Sequence, residues 1–205
     1  MIKIAVLVSG GGTNLQALID SAPYENGALS LVLSSHPNAF ALERAARAGI
    51  EALTLDPKEY ADREDYTGAL VDVLLARDIG LVVFGGFMFI LTPRFAEVFE
   101  NRAINVHPSL IPAFCGKGFY GLRVHKAVLE YGVKVTGATV HFVTTGADEG
   151  PIISQKAIDV LPDDTPESLQ RRVMEQCEWP LLTAAVREFC SLHQNIANTS
   201  KNLST

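Results

Sequence analysis

The sequence predicts an α/β protein with a doubly wound, mostly parallel twisted sheet and an antiparallel hairpin in the C-terminal half. Two continuous apolar runs, at 2–8 and 79–86, are rich in β-branched residues and typical of strands covered by helices on both faces. Helical patterns lie between them, which favours right-handed crossover connections. In the second half, 133–143 and 150–160 alternate apolar and polar residues around a glycine-rich turn, as antiparallel hairpins do.

The elements of the first half follow in the order strand, helix, strand, helix, helix, strand. The helix at 14–22 carries its apolar residues on one face, and the helix at 39–49 ends in a glycine that suits a helix C-cap. The predicted strands are 2–8, 28–35 and 79–86, and the predicted helices are 14–22, 39–49 and 63–80.

A last helix is predicted over 165–190. Thr165 is a favourable N-cap, but Ser168 stands where a capping box has glutamate or glutamine, so we expect only a partial cap. The sequence at 191–205 is polar and loses its periodicity. We therefore expect a single domain over 1–190 and a polar C-terminal tail over 191–205.

The overall composition limits the classes of function. The 205 residues carry a net charge of −6 with a pI near 5.3, which argues against general binding to nucleic acid or to an anionic membrane. The N-terminal apolar run is too short to span a bilayer and breaks into glycines, which predicts a strand and no signal peptide. The three cysteines form no CxxC pair and no histidine has metal-ligand spacing, so we expect a cytoplasmic protein without a metal.

The segment "SGGGTN", Ser9 to Asn14, separates the first strand from the first helix. In an open α/β sheet, ligands bind at the carboxyl ends of the strands, and the N–H groups of a helix N-terminus attract anions. The segment lacks the lysine of a Walker motif, and Leu15 replaces the third glycine of a dinucleotide fingerprint. It therefore indicates a site for a phosphate monoester; a plain tight turn with Asn14 as N-cap is the alternative.

A second candidate site lies in "INVHP", where a strand is predicted to end. Side chains alternate along a strand, so Asn105 and His107 share one face of the sheet. An amide donor beside a titratable imidazole suits the stabilisation of an oxyanion. The alternative is a histidine that only satisfies backbone groups at a strand end.

Asp148 lies in the glycine-bounded turn "GADEG". Beside His107, its carboxylate would favour the imidazolium form, which is the better proton donor. A structural role in the turn is the alternative. The pattern leaves open whether His141 faces the site or the solvent. The remaining histidines are predicted at the surface: His36, His125 and His193.

Four segments, "SGGGTNLQALI", "GFMFIL", "INVHPSLIPAF" and "VTGATVHFVTTGADEGPII", together resemble the phosphoribosylglycinamide formyltransferase family of purine biosynthesis. The resemblance runs in order from residue 1 to about residue 190. It implies the formyltransferase fold and transfer of a formyl group from 10-formyltetrahydrofolate to the amine of 5-phosphoribosylglycinamide, a step of de novo purine biosynthesis. It also implies small-molecule substrates and a monomer or homodimer, without nucleic-acid or membrane partners.

The resemblance assigns the substrate phosphate to Gly12, Thr13 and Asn14, and it assigns catalysis to Asn105, His107 and Asp148. Asn105 and protonated His107 would steady the oxyanion. Asp148 would keep His107 charged and help relay a proton. No covalent enzyme intermediate is needed, because the amine is itself the nucleophile.

The segment "GFMFIL" matches the folate pocket of the family, to which Asn105 also belongs. Its residues would flank the pterin and offer main-chain hydrogen bonds: Met88, Phe89, Ile90 and Leu91. Phe89 departs from the family pattern, which has arginine at this position, so any contribution of that arginine side chain is lost. Arg63 matches an arginine that meets the glutamate portion of folate.

A glutamate shortly before Pro180 matches the family residue that reaches the ribose hydroxyls. Counting back from Pro180 selects Glu175, with Glu178 as the alternative. The glycine-rich loop Cys115–Gly121 follows the catalytic segment, and we expect it to be a mobile cover for the site.

Two other functions stay open from sequence. A formyltetrahydrofolate hydrolase would usually add an N-terminal regulatory domain, whereas the first strand here begins at Ile2. A non-catalytic module that binds a phosphate ligand would need Gly12 to Asn14 but would be indifferent to the three catalytic residues.

Overall fold

A computed structural model describes the backbone of residues 1–202 and the side chains of residues 1–192. The strands are β1 Ile2–Val8, β2 Gly27–Ser34, β3 Glu51–Thr54, β4 Ile79–Phe84, β5 Ala103–His107, β6 Val135–Phe142 and β7 Ile152–Asp159. The α-helices are α1 Thr13–Asp20, α2 Phe40–Arg47, α3 Arg63–Leu75, α4 Pro93–Val98, α5 Leu122–Tyr131, α6 Pro166–Val173 and α7 Trp179–Asn202. A 3-10 helix spans Pro57–Glu59, and a π-helix spans Met174–Glu178.

The seven strands of the described backbone form one sheet in the order β3-β2-β1-β4-β5-β6-β7. The pairs from β3 to β5 are parallel. The pairs β5–β6 and β6–β7 are antiparallel, so the predicted hairpin is formed by β6 and β7. The predicted fold class is therefore confirmed.

Alternating side chains of the strands pack into two apolar layers, one on each face of the sheet. On one face, Ile4, Val6 and Val8 pack with α1, α2, α5, α6 and α7. On the other face, Ala5 and Leu7 pack with α3 and α4. These five of the seven side chains of β1 are fully buried, and burying a Val, Ile or Leu side chain stabilises a fold by roughly 1.5–3 kcal/mol. The sheet is thus the middle of three layers.

The connections change from one face of the sheet to the other between β1 and β4, which are neighbours. Such a switch point opens a crevice at the carboxyl ends of the strands. The loops that follow β1 and β4 are joined there, because Ser9 N–H donates to Gly86 O at 3.1 Å and Met88 N–H donates to Ser9 Oγ at 2.8 Å. The fold therefore brings the predicted phosphate loop close to the "GFMFIL" segment.

Besides the 3-10 helix, one strand and two α-helices lie outside the predicted elements. Strand β3 has four residues and helix α4 has six, too few for a clear hydrophobic period. Helix α5 buries Val124, His125 and Val128, a helical spacing that the prediction did not use. The helix predicted at 63–80 ends at Leu75, and β4 begins within the predicted range.

Two predictions about the C-terminal helix are corrected. Ser168 does complete the capping box, because its hydroxyl accepts from Thr165 N–H at 2.9 Å while Thr165 Oγ1 accepts from Ser168 N–H at 3.1 Å. The helix is also interrupted by the π-helix and continues to Asn202.

The predicted tail at 191–205 lies largely outside the residues whose side chains the structure describes. Side chains from residue 193 and the backbone of 203–205 lie outside the described residues. The division into a domain at 1–190 and a tail stays a prediction. Among the helices that are described, none is both long and apolar enough to cross a membrane.

We expect Gly137→Ala to destabilise the β6–β7 pair. A Cβ at this position would collide with the Lys156 carbonyl oxygen and crowd the Ala157 backbone, and sheet backbone cannot move aside as the end of a side chain does. The free energy of unfolding in urea should fall by about 1–3 kcal/mol. Val135→Ala, at a half-exposed position of the same strand, is the control and should change it by about 0.5 kcal/mol or less. Equal stability of the glycine variant and wild type would contradict this close approach.

Candidate active site

The glycine-rich loop after β1 ends in a backbone conformation that requires glycine. Gly12 has φ 70° and ψ 36°, in the left-handed region, and a Cβ there would collide with Ala41. Helix α1 begins at Thr13 without a side-chain cap, so Asn14 is not an N-cap. Its side chain is buried instead, and Nδ2 donates to Glu178 Oε2 at 3.4 Å. An uncapped helix N-terminus of this kind favours an anion.

The structure brings the three predicted catalytic side chains together. His107 Nδ1 lies 3.4 Å from Asp148 Oδ2, and Asn105 Nδ2 donates to Asp148 Oδ1 at 3.4 Å. Asn105 and His107 share one face of β5, while Ile104 and Val106 pack in the layer on the other face. Asp148 thus reaches His107, which the sequence could not establish. The part of the three residues in catalysis stays a prediction.

His141 is a fourth member of this cluster. Its Nε2 lies 3.1 Å from Asn105 Nδ2 and 3.6 Å from Asp148 Oδ1. Its Nδ1 donates to Phe142 O at 2.8 Å, so in the neutral ring Nε2 is the acceptor for Asn105. The β5–β6 register sets His141 directly opposite Asn105, so His141 faces the site and not the solvent. That register cannot be read from either strand alone.

The Asp148 carboxylate is held in its charged form. Burial raises its pKa, but the hydrogen bond with His141, the charge of His107 and the Gly116 N–H at 2.8 Å outweigh burial and bring the pKa below its ordinary value. Asp148 has φ 59°, a left-handed conformation that aspartate tolerates better than most residues. The turn therefore presents a charged acceptor to two histidines.

The segment after β5 closes against the same cluster. His107 Nε2 donates to Phe114 O at 2.9 Å, and Gly116 N–H donates to Asp148 Oδ2 at 2.8 Å. Phe114 O and the Asp148 carboxylate are both acceptors, so His107 faces an acceptor at each ring nitrogen, an arrangement that suits the imidazolium form with its two N–H donors. Positive φ values at Gly116 and Gly118, 83° and 96°, shape the loop that follows.

Two cavities share walls at this cluster. The larger, of about 560 Å³, is lined by Asn14, Asn105, His107, Asp148, Glu178 and the loop residues Gly116 to Gly121. The smaller, of about 140 Å³, is mainly apolar and shares Phe89, Ile90, Asn105 and Asp148 with the larger. In the described part of the chain, no three or more His, Cys, Asp or Glu side chains are grouped to hold a metal ion.

Comparison with known proteins decides the family, because residues 2–185 match the formyl transferase family. This chain belongs to that family. Phosphoribosylglycinamide formyltransferase of Escherichia coli K12 is 36% identical over 201 residues, which are 96% of this chain and 92% of that protein. The crystal structure of glycinamide ribonucleotide transformylase 1 from Symbiobacterium toebii has a TM-score of 0.86 and 44% identity, and the match covers 93% of this chain and 88% of that chain.

Some relatives in the formyl transferase family are much longer than this chain. The trifunctional purine biosynthetic protein adenosine-3 of Drosophila melanogaster is 42% identical over 181 residues, which are 86% of this chain. The match spans 13% of that protein and 17% of its Gallus gallus counterpart. This chain is therefore similar to one segment of these trifunctional proteins.

The residues that family resemblance assigns to folate are divided between the two cavities. Met88, Phe89 and Ile90 line the larger cavity, and Leu91 lines the smaller. Phe89 packs against the Tyr66 ring, with centroids 4.5 Å apart and planes at 62°. Arg63, the first residue of α3, is exposed and lines neither cavity, so a contact with it requires a ligand that extends beyond them.

Glu178 lies in the site, and the preference for Glu175 is not supported. Glu175 is exposed and does not line the larger cavity, whereas Glu178 is 6% exposed, lines it and accepts from Asn14. The prediction counted residues back from Pro180, but the π-helix Met174–Glu178 widens this turn and changes which side chain faces the cavity. The sequence carries no clear signal of a π-helix.

The prediction that His125 lies at the surface is wrong. This side chain is fully buried on α5 and lines the larger cavity. Burial, with a smaller effect from the charge of His107, lowers the pKa of His125 to about 4. His36 is exposed as predicted, and the His193 side chain lies outside the described residues.

Glu178 should make stability depend on pH. Burial raises its pKa from 4.5 to about 7, although the hydrogen bond from Asn14 acts in the opposite direction. A carboxyl with a raised folded-state pKa contributes stability that is fully present below its unfolded pKa and is lost as the pH rises through the folded pKa. We therefore expect Glu178→Gln to reduce the decline in the free energy of unfolding between pH 4.5 and about 7, measured by urea titration at several pH values.

Glu175→Gln, at the exposed neighbouring position, is the matched control and should leave that decline as in wild type. Identical pH profiles for wild type and Glu178→Gln would contradict the raised pKa.

Proposed function

We propose that this protein transfers the formyl group of 10-formyltetrahydrofolate to the amine of 5-phosphoribosylglycinamide in de novo purine biosynthesis. The proposal rests above all on one observation: Asn105, His107 and Asp148 line the same cavity as Asn14 and Glu178. Such a cavity combines oxyanion donors with a helix N-terminus, which suits a substrate that carries both an amine and a phosphate. Membership of the formyl transferase family and the similarity to E. coli phosphoribosylglycinamide formyltransferase support the same reaction.

The phosphate end of the substrate would bind at the start of α1. Gly12, Thr13 and Asn14 form its uncapped N-terminus, and Lys117 adds a positive charge to the wall of the cavity. Glu178 would accept hydrogen bonds from the ribose hydroxyls, and its bond to Asn14 fixes the carboxylate beside the phosphate loop. These contacts together would hold the phosphoribosyl group and leave the amine for the catalytic cluster.

The formyl donor is the second substrate, and the walls of the cavities fit its chemistry. Rings of Phe84, Phe87 and Phe95 line the smaller cavity, and a flat pterin packs well against aromatic side chains. Met88 and Ile90 are 59% and 54% exposed, so both can cover the folate from the outside. The folate-binding residues of the proposal are Arg63, Met88, Phe89, Ile90, Leu91 and Asn105.

The reaction needs an unprotonated amine, a polarised formyl group and a route for one proton. The amine lone pair attacks the formyl carbon, the bond from this carbon to the folate nitrogen breaks, and that nitrogen gains the proton that the amine loses. Negative charge develops on the formyl oxygen, where N–H groups of Asn105 and His107 stabilise it. Their present acceptors are His141, Asp148 and Phe114 O, so the formyl oxygen replaces one of these acceptors.

Asp148 would support His107 throughout this step. Its carboxylate faces His107 Nδ1 and orients the ring, and a charged acceptor at this distance can take part in proton relay. The loop Cys115–Gly121 would cover the substrates, because it lines the cavity and donates to Asp148 through Gly116 N–H. No covalent bond to the enzyme forms at any stage.

We propose a single catalytic domain over 1–190 that acts in the cytoplasm as a monomer or homodimer. The three cysteines are free, which is compatible with a reducing compartment.

The decisive test is the direct assay of formyl transfer, with free formate measured in parallel. We expect His107→Ala to lower kcat roughly 10²- to 10³-fold, because one oxyanion donor is lost. Binding of ribose 5-phosphate should persist, since its contacts lie at α1 and Glu178. His36→Ala, at an exposed position, is the control. Undiminished turnover of His107→Ala would remove this residue from the chemistry, and wild-type release of formate without transfer would identify a hydrolase instead.

Phe89→Arg tests the departure from the family pattern. The arginine would restore a cation near the folate carboxylates, so we expect the KM for 10-formyltetrahydrofolate to stay equal or to fall by up to about tenfold. The KM for phosphoribosylglycinamide should not change. A clearly raised KM for the folate would mean that the Phe89–Tyr66 contact matters more to the pocket than the missing cation.

A further inference from the structure

His125 is a buried polar side chain of the larger cavity that the proposed mechanism leaves unused. It is 0% exposed, and neither of its ring nitrogens has a hydrogen-bond partner among the described residues. Buried imidazoles are normally paired, because an unpaired nitrogen has given up its bonds to water and gained none. Since His125 lines the cavity together with His107 and Glu178, its partner is a group that enters the cavity.

The charge state of this ring narrows the choice of partner. Burial first, and then the charge of His107, lowers its pKa to about 4, so the ring is neutral near pH 7. A neutral imidazole offers one N–H donor and one nitrogen acceptor. The other ionisable side chains that line the cavity are His107, Lys117, Tyr120, Asp148 and Glu178. His125 is thus a neutral acceptor in a cavity whose wall also carries ionisable side chains.

Two other residues that line the cavity with His125, Glu178 and His107, indicate which part of the substrate it meets. Glu178 is bonded to Asn14 beside the phosphate loop, so this side of the cavity belongs to the phosphoribosyl group. His107 lies close enough to His125 to affect it electrostatically, and His107 belongs to the cluster that would receive the formyl group. The substrate group that must lie beside the formyl carbon is the primary amine.

We propose that His125 contacts the nucleophile: a ring nitrogen accepts a hydrogen bond from an N–H of the primary amine of the substrate. This inference rests on the proposed function and adds a residue to it. A neutral acceptor holds the amine without the negative charge that would favour its protonated form. The bond leaves the amine lone pair directed at the formyl carbon. His125 itself gains no proton and forms no covalent bond.

The kinetic test compares His125→Phe and His125→Asn with wild type. Phenylalanine keeps the ring without an acceptor, and asparagine restores an acceptor. We expect kcat/KM for phosphoribosylglycinamide to fall roughly 10- to 100-fold in His125→Phe and to recover in part in His125→Asn. The KM for 10-formyltetrahydrofolate should not change. The melting temperature of His125→Phe should equal or exceed that of wild type, because an apolar ring replaces two unpaired polar atoms.

Val128→Ala separates this effect from damage to helix α5. Val128 is fully buried on the same helix and does not line the cavity, so its truncation should lower the melting temperature and retain kcat/KM. Unchanged kcat/KM in a folded His125→Phe variant would overturn the proposal. An equal loss of kcat/KM in His125→Phe and Val128→Ala would also overturn it.

A second measurement depends on neither turnover nor a variant. In wild type with nitrogen-labelled histidine, phosphoribosylglycinamide alone should shift the ring nitrogen resonances of His125, and ribose 5-phosphate should not, since it lacks the amine. Equal shifts with both compounds, or none with either, would overturn the contact even if the histidine variants do not fold. An amine-specific shift in a protein that transfers no formyl group would contradict the proposed function but support the contact between His125 and the amine.

Discussion

The site depends on the interactions of one buried group, the carboxylate of Asp148. Its two oxygens lie within reach of His107, His141, Asn105 and the Gly116 N–H. A buried charge is costly unless bonds of this kind surround it, so each partner also helps to keep the carboxylate in place. The partners come from β5, β6 and the loop after β5, which means that the cluster exists only once the antiparallel strand has joined the parallel sheet.

A second long-range bond gives the cavity its other wall. Asn14 follows the first strand and Glu178 belongs to the C-terminal helical segment, yet their side chains meet at 3.4 Å across 164 positions of sequence. The N-terminal loop and the C-terminal helix are therefore positioned by each other as well as by the sheet. The cavity lies where these two distant parts of the chain and the Asp148 cluster converge.

The sequence predicts those features that depend on the periodicity of neighbouring side chains or on the freedom of the backbone. Buried parallel strands, the hairpin, the shared face of Asn105 and His107, and the glycine loop all follow from side-chain alternation or backbone freedom. It was insufficient where placement depends on a partner strand or an irregular turn. The β5–β6 register puts His141 in the site, the π-helix selects Glu178 over Glu175, and packing of α5 buries His125. The first two outcomes leave no mark on the local pattern of polar and apolar residues, whereas the helical spacing of Val124, His125 and Val128 is a signal of the third.

The π-helix has a consequence for how the length of this segment can vary in evolution. A π turn holds an extra residue compared with an α turn, and one residue corresponds to a rotation of about 100° around the helix axis. Loss of one residue between Met174 and Glu178 would reduce the π turn to an α turn, so that α6 and α7 keep their phase while the side chain that faces the cavity changes. Substitutions at the exposed positions of this turn leave that spacing unchanged, whereas a change of one residue in its length alters which side chain lies beside Asn14. Conservation of segment length here is thus as informative about the site as conservation of the glutamate itself.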